Sequence, residues 1–186
     1  KNPAAYLKHV PYKVQRERLS LEDWWKLFKA SKNSPKWVSR LLLLALVTGQ
    51  RRSDLQKIQF SDVWDNKLHI TQQKTGTKLA IPLQLKLDAI SVSVEDAINS
   101  CRYYCNKGNT LIRKTTGQPP CPAYLSIVFE TLVRQELPGK NTSLHECRSL
   151  SERLYREQGI NTRLLLGHKH QAMTDLYNDD RGLNGG

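Results

Sequence analysis

Apolar residues recur along this chain with two different spacings, and the switches between them predict its elements. Ser20 and Asp23 are placed as a capping box, with Leu19 and Trp24 as a hydrophobic staple, so a helix runs through Trp24, Trp25, Leu27 and Phe28. Ser34-Pro35 opens a second helix, because Pro suits the first helical position, and Gly49 closes it. Its run Leu41 to Val47 is apolar on every side, the pattern of a central, buried helix. A short helix over 52–58 follows. The spacing then changes to alternation. Leu68 and Ile70 lie between polar neighbours, the turn candidate Trp64-Asp65-Asn66-Lys67 precedes them, and Thr75-Gly76 makes another turn before Leu79 and Ile81. This predicts a small antiparallel sheet of two or three strands, with Lys74 at the tip of the second hairpin.

Helical spacing returns afterwards. Ser93 with Asp96 caps a helix to about Asn106, and a loop with Gly108, Gly117, Pro119 and Pro120 leads to a helix starting at Pro122. Pro138-Gly139 breaks that helix; another spans about Leu144 to Gln158; Asn161 caps a short one ended by Gly167; a last one covers 171–177. No internal repeat interrupts the pattern. The class is mainly α with a small antiparallel β-sheet (α+β).

Charge adds a direction. The 186 residues carry 29 Lys plus Arg against 17 Asp plus Glu, net +12, which favours a polyanionic partner. Ten cations and three acids fall in the first forty residues. Lys8, Lys13, Arg16 and Arg18 precede the first helix, so 1–18 reads as a basic linker able to follow a phosphate backbone. A solvated tether explains the same charge. The chain opens Lys-Asn-Pro without Met, which suggests a fragment with DNA-binding domains preceding it. No apolar run is long enough to span a bilayer, so no membrane partner is expected.

Cys101, Cys105, Cys121 and Cys147 form no CxxC pair and share no metal-like spacing with the five histidines, so reduced thiols and no metal site are expected. Cys101 and Cys105 lie one helical turn apart and are expected to pack together.

Taken singly, the polar candidates admit ordinary roles. Arg51-Arg52 after Gly49 suits a solvated helix end, and Lys74 suits a solubilising turn. His145 and Arg148 share a helix face, where pairing with Glu146 or Glu152 would be unremarkable. His168 suits a helix C-terminus. Tyr177 is one of seven tyrosines.

In order, however, Thr48-Gly49-Gln50-Arg51, Lys74-Thr75-Gly76, His145-Glu146-Cys147-Arg148, Leu165-Leu166-Gly167-His168 and Tyr177 resemble the catalytic domain of tyrosine site-specific recombinases, the phage integrase family, and within it the lambda-type branch. Flanking text agrees: Ser61-Asp62, Lys78 before Ala80-Ile81-Pro82, Arg148-Ser149-Leu150-Ser151 and Asp179-Asp180-Arg181-Gly182. The resemblance implies the DNA breaking-rejoining fold over 19–177, with 178–186 as a short tail, and a nucleophilic Tyr177 forming a 3′-phosphotyrosyl link. It implies Lys74 as the acid for the 5′-oxygen, His145 and His168 on the phosphate, and Asp54 orienting Arg51. Double-stranded DNA with attachment-type sites would be the partner, bound by a homo-tetramer whose isolated fragment is a monomer, with accessory bending proteins, in a bacterial host's cytoplasm at the nucleoid. Lys78 joins the linker cations as a backbone contact.

The chemistry of these residue types fits. Phosphodiester attack builds charge on non-bridging oxygens, which Arg51 and Arg148 can clamp with guanidiniums that stay protonated. A phenol with a pKa near ~10 needs a base or a cationic pocket to attack at neutral pH. No clustered carboxylates of the kind that hold Mg²⁺ occur, so no cofactor is expected. Two alternatives remain at this point: a type IB topoisomerase-like enzyme and a non-catalytic DNA-binding remnant.

Overall fold

A computed structural model describes residues 15–167. Lys8, Lys13, His168, Tyr177 and the helix expected over 171–177 lie outside the described residues.

The first helix, α1 (Leu21–Ala30), begins as its residues dictate. Ser20 caps it, Asp23 closes the capping box, and both staple residues, Leu19 and Trp24, are fully buried. Asp23 also pairs with Lys140, which ties α1 to the chain after the fifth helix. A short 3-10 turn (Ser31–Asn33) leads to α2 (Lys36–Thr48), with Pro35 as the N-cap. Nine of its 13 residues are buried, as a helix apolar all round requires, and α1 and the later helices Arg52–Lys57, Val94–Asn99 and His145–Glu157 all pack on it. Gly49 ends it in the left-handed region at φ 65°. The next helix, α3, is Arg52–Lys57.

The hairpins follow. Strands β1 (Val63–Trp64), β2 (Lys67–Thr71) and β3 (Lys78–Pro82) form one antiparallel sheet in the order β1-β2-β3. Asp65 and Asn66 both have positive φ, which gives the two-residue turn the twist that its strands need. Leu68 pairs with Ile81 and Ile70 with Leu79, which puts the four apolar side chains on the core face. A second pair, β4 (Lys86–Leu87) with β5 (Val92–Ser93), leaves no signature in the sequence, because two-residue strands are too short to show alternation.

Helix α4 (Val94–Asn99) is shorter than its sequence suggests. The Ser93–Asp96 capping box forms, but the helix stops well before Asn106. The cause lies downstream. Arg113, 2% exposed, donates to the carbonyls of Cys101, Arg102, Cys105, Lys107, Thr110 and Leu111. It also lies over the rings of Phe60 and Tyr104. Those carbonyls turn inward to a buried cation instead of continuing a helix. Cys101 and Cys105 therefore do not share a helix face: Cys101 is buried and donates to Ala97 O, while Cys105 donates to the carbonyls of Lys107 and Lys114.

Helix α5 (Pro122–Glu136) starts with Pro in its first turn and ends before Pro138. Helix α6 (His145–Glu157) buries Cys147, Ser151 and Tyr155 at four-residue spacing, and its Tyr155 hydroxyl donates to Val47 O of α2. Ser151 is small enough to let α6 approach the end of α2: a Cβ on Gly49 would stand 2.9 Å from its Oγ. Helix α7 (Thr162–Leu166) has Asn161 accepting from Arg163 and Leu164 N–H, and ends at Gly167 with φ 77°. Among the described residues no helix is long and apolar enough to cross a membrane.

Candidate active site

Three chain reversals bring the candidate residues together. At the first, Gly49 turns the chain out of α2, and Arg51 becomes the N-cap of α3 with extended backbone (φ −74°, ψ 156°). Its Nη1 is buried and has no hydrogen-bond partner among the described residues. Arg52, its neighbour, is exposed and donates to Ser126 Oγ at 2.7 Å, so its guanidinium is committed to α5. At the second, α6 begins with His145 and carries Arg148 one turn later. Arg148 is 6% exposed and donates to Gly49 O and Leu166 O, both at 2.8 Å. One guanidinium thus joins the ends of α2 and α7. At the third, the β2–β3 turn projects Lys74, which is exposed.

Electrostatics records how close these groups are. Partial burial holds the His145 imidazole below its ordinary pKa, and the Arg148 and Arg51 cations push it the same way; Glu146 pulls against them, and Lys74 adds the smallest push downward. Burial, followed by the Arg51 charge, lowers Arg148 itself to about 10, with Asp54 and Glu152 acting against them. Arg51, Lys74 and Arg148 are thus near enough for their charges to act on His145, although the four residues come from three separate segments. A cleft of about 370 Å³ opens beside Arg51 and His145, lined also by Gln50 and Arg16; Lys74 and Arg148 are not part of its lining.

Asp54 is fully buried, but no ion pair joins it to Arg51 among the described residues. Its Oδ1 accepts from Gln73 N–H at 2.8 Å and lies 3.6 Å from Lys57 Nζ, so that oxygen braces the Lys74 hairpin, while Oδ2 is buried without a partner among the described residues. Arg16 reaches the cleft and is held by Asn141 at 3.2 Å and Glu130 at 3.6 Å. Arg18 is exposed. Lys78, also exposed, faces a different groove, with Lys57, Trp64 and His69. Cys147 is completely buried, which pushes its thiol up to about 12 and makes it packing. Among the described residues no group of three or more His, Cys, Asp or Glu is placed to hold a metal ion.

Beneath the cations runs a pair of buried amides that sequence reading missed. Gln50 Nε2 donates to Thr48 O at 2.9 Å and Leu165 O at 3.0 Å, and Gln72 Nε2 donates to Gln50 Oε1 and Leu166 O, both at 3.0 Å. A signal existed for Gln72. It has the inward parity of Leu68 and Ile70, and a polar residue facing a core demands buried partners.

The arrangement can hold an anion against two guanidiniums and an imidazole, with a lysine on a separate hairpin at its edge. Several known proteins have similar chains. Residues 17–182 match the model of the phage integrase family. The integrase of Enterobacteria phage P21 is 44% identical over 97% of this chain and 50% of its own length. The prophage integrase IntE of Escherichia coli (strain K12) is 42% identical over 97% and 51%. This chain thus spans about half the length of the integrases it matches. A lambda integrase (75–356) dimer bound to a COC′ core site superposes with a TM-score of 0.80, at 35% identity over 91% of this chain and 64% of that one. A lambda integrase tetramer bound to a Holliday junction gives 0.80 at 34%, over 91% and 52%. With the family's pattern covering residues 17–182 and these identities across nearly its whole length, this chain belongs to the phage integrase family.

Proposed function

We propose that residues 19–177 form the catalytic domain of a site-specific DNA recombinase that integrates or excises phage DNA. The observation that carries the proposal is a buried Arg51 N–H that has no partner among the described residues, on a residue that lines one cleft with His145. A buried donor without an acceptor is costly, and an anion seated between the two arginines removes that cost. A DNA phosphate supplies such an anion, with oxygens on which charge grows during attack.

In this reading the Tyr177 oxygen attacks phosphorus, its proton passes to a base, and a 3′-phosphotyrosyl bond forms. The bond from phosphorus to the 5′-oxygen breaks, and Lys74 Nζ gives that oxygen its proton. Arg51 and Arg148 hold the non-bridging oxygens, while His145 and His168 donate to the phosphate. Burial, and then its cationic neighbours, hold the His145 imidazole below its ordinary pKa, and its ring N–H donates to the phosphate. The covalent link conserves the bond energy, so a 5′-hydroxyl from another duplex reverses the step without ATP. Arg16 and Arg18, with Lys8, Lys13 and Lys78, contact the backbone without reading sequence. The partner is double-stranded DNA with attachment-type sites, engaged by a homo-tetramer in the host cytoplasm. The lambda integrase assemblies, a dimer on a core site and a tetramer on a Holliday junction, support that partner and that assembly.

The test is covalent capture. The chain is incubated with nicked suicide duplexes carrying a randomised core, and adducts are resolved on a denaturing gel. The expected result is a protein–DNA adduct that selects particular sequences and disappears in Tyr177→Phe. An adduct that persists in Tyr177→Phe, or its absence from the whole pool, overturns the proposal.

A further inference from the structure

Every polar group of Gln72 is occupied, although this residue is neither charged nor at the cleft surface. It is 1% exposed. Its Nε2 donates to Gln50 Oε1 and Leu166 O, and its Oε1 accepts from Thr75 Oγ1 at 2.9 Å. Its backbone N–H donates to Thr77 O at 2.8 Å, and its carbonyl accepts from Gly76 N–H at 2.7 Å. These last three bonds close the turn that carries Lys74. The first two fasten that turn to the residue before Arg51 and to the carbonyl that Arg148 also uses. The seat is tight: a Cβ on Gly167 would stand 2.4 Å from Gln72 Oε1.

We propose that Gln72 is a positioning residue for Lys74. It holds the base of the β2–β3 turn against Gln50 and Leu166, so that the Lys74 ammonium is delivered to the phosphate held by Arg51 and Arg148. The proposal rests on the reading of Lys74 as the leaving-group acid. Geometry supports the division of labour. A lysine stem is flexible, so where its tip can reach depends on where its backbone is anchored, and the anchor lies two residues away. Strand pairing from Lys67–Pro82 to Thr71–Lys78 does not involve the Gln72 side chain, so the sheet survives its loss while the turn loosens.

The experiment measures single-turnover cleavage of a captured duplex by the whole chain and by its Gln72→Met, Lys74→Ala and doubly substituted forms. Each is assayed on an ordinary phosphodiester and on a 5′-bridging phosphorothiolate, whose sulfur leaves without a proton. Gln72→Met should bind DNA normally and cleave the ordinary substrate about 100-fold more slowly, the scale of a misplaced acid. The phosphorothiolate should restore most of that loss, and the double variant should cleave no more slowly than Lys74→Ala. If Gln72→Met fails to fold, Gln72→Glu, which keeps the acceptor for Thr75 but loses both Nε2 donors, takes its place. Equal losses on both substrates, or additive losses in the double variant, overturn the positioning role. A Lys74→Ala variant that sulfur fails to rescue overturns the acid reading itself, and the role of Gln72 with it.

Discussion

Replacing Arg148 with Met separates what this guanidinium does for the fold from what it does for an anion. Burial and the adjacent Arg51 charge lower it from 12.5 to about 10, so carrying the charge in the folded state costs ~3 kcal/mol. Two hydrogen bonds at 2.8 Å, to Gly49 O and Leu166 O, act in the opposite direction. Losing them leaves two carbonyls short of a partner at ~1–3 kcal/mol each, although Leu166 O keeps Gln72. The contributions nearly cancel, so Arg148→Met should change stability by no more than ~2 kcal/mol. Cleavage should behave otherwise. A lost electrostatic donor at the reacting phosphate lowers the rate by about 100- to 1000-fold, and nothing in the fold compensates for it. Urea unfolding and single-turnover adduct formation, run on the same preparation, measure the two effects. A stability loss beyond ~4 kcal/mol would make Arg148 mainly a structural tie between α2 and α7. A folded variant that cleaves within about tenfold of the parent would remove it from the phosphate clamp.

Two further outcomes follow from the same geometry. The His145 imidazole, held below its ordinary pKa of 6.5 by burial and then by Arg148, Arg51 and Lys74, should titrate by NMR with a midpoint below 6.5 that rises in Arg148→Met. Because its folded pKa is depressed, the native state takes up the proton less readily than the unfolded chain, so this group lowers stability as pH falls below 6.5; an unmoved midpoint in Arg148→Met would place the two groups farther apart. Arg113→Met should leave six inward carbonyls without their cation and cost more than ~3 kcal/mol, with raised amide exchange confined first to the 100–113 loop; exchange unchanged there would refute its organising role.

The two arginine neighbourhoods show why some features read directly from sequence and others did not. Arg51 follows a glycine that ends a buried helix, and helix ends are local events, written in caps and breakers within a few residues. The same holds for the capping boxes at Ser20 and Ser93, the hairpin at Asp65-Asn66, and the stops at Gly49 and Gly167. Helix α4 reads wrongly because the residue that ends it, Arg113, lies 14 positions after Asn99 and acts through carbonyls. No local pattern reports an acceptor taken from so far along the chain. For Asp54 the sequence offers only the resemblance; that one of its oxygens takes the backbone N–H of Gln73 and the other is buried without a partner among the described residues is a result of packing.

By itself the sequence determined the order and type of most elements, the cationic character of the chain, and which residues to suspect, because periodicity, caps and ordered motifs are properties of neighbours. Only the tertiary structure decided that Arg148 joins the ends of α2 and α7, that Arg51 keeps a buried donor unpartnered among the described residues, and that Gln72 binds the Lys74 turn to Gln50 and to the end of α7. Those are meetings between residues 18 to 99 positions apart. Such contacts form only when the buried face of α6 and the core face of the sheet have closed on α2, so their geometry depends on the packing of the whole core.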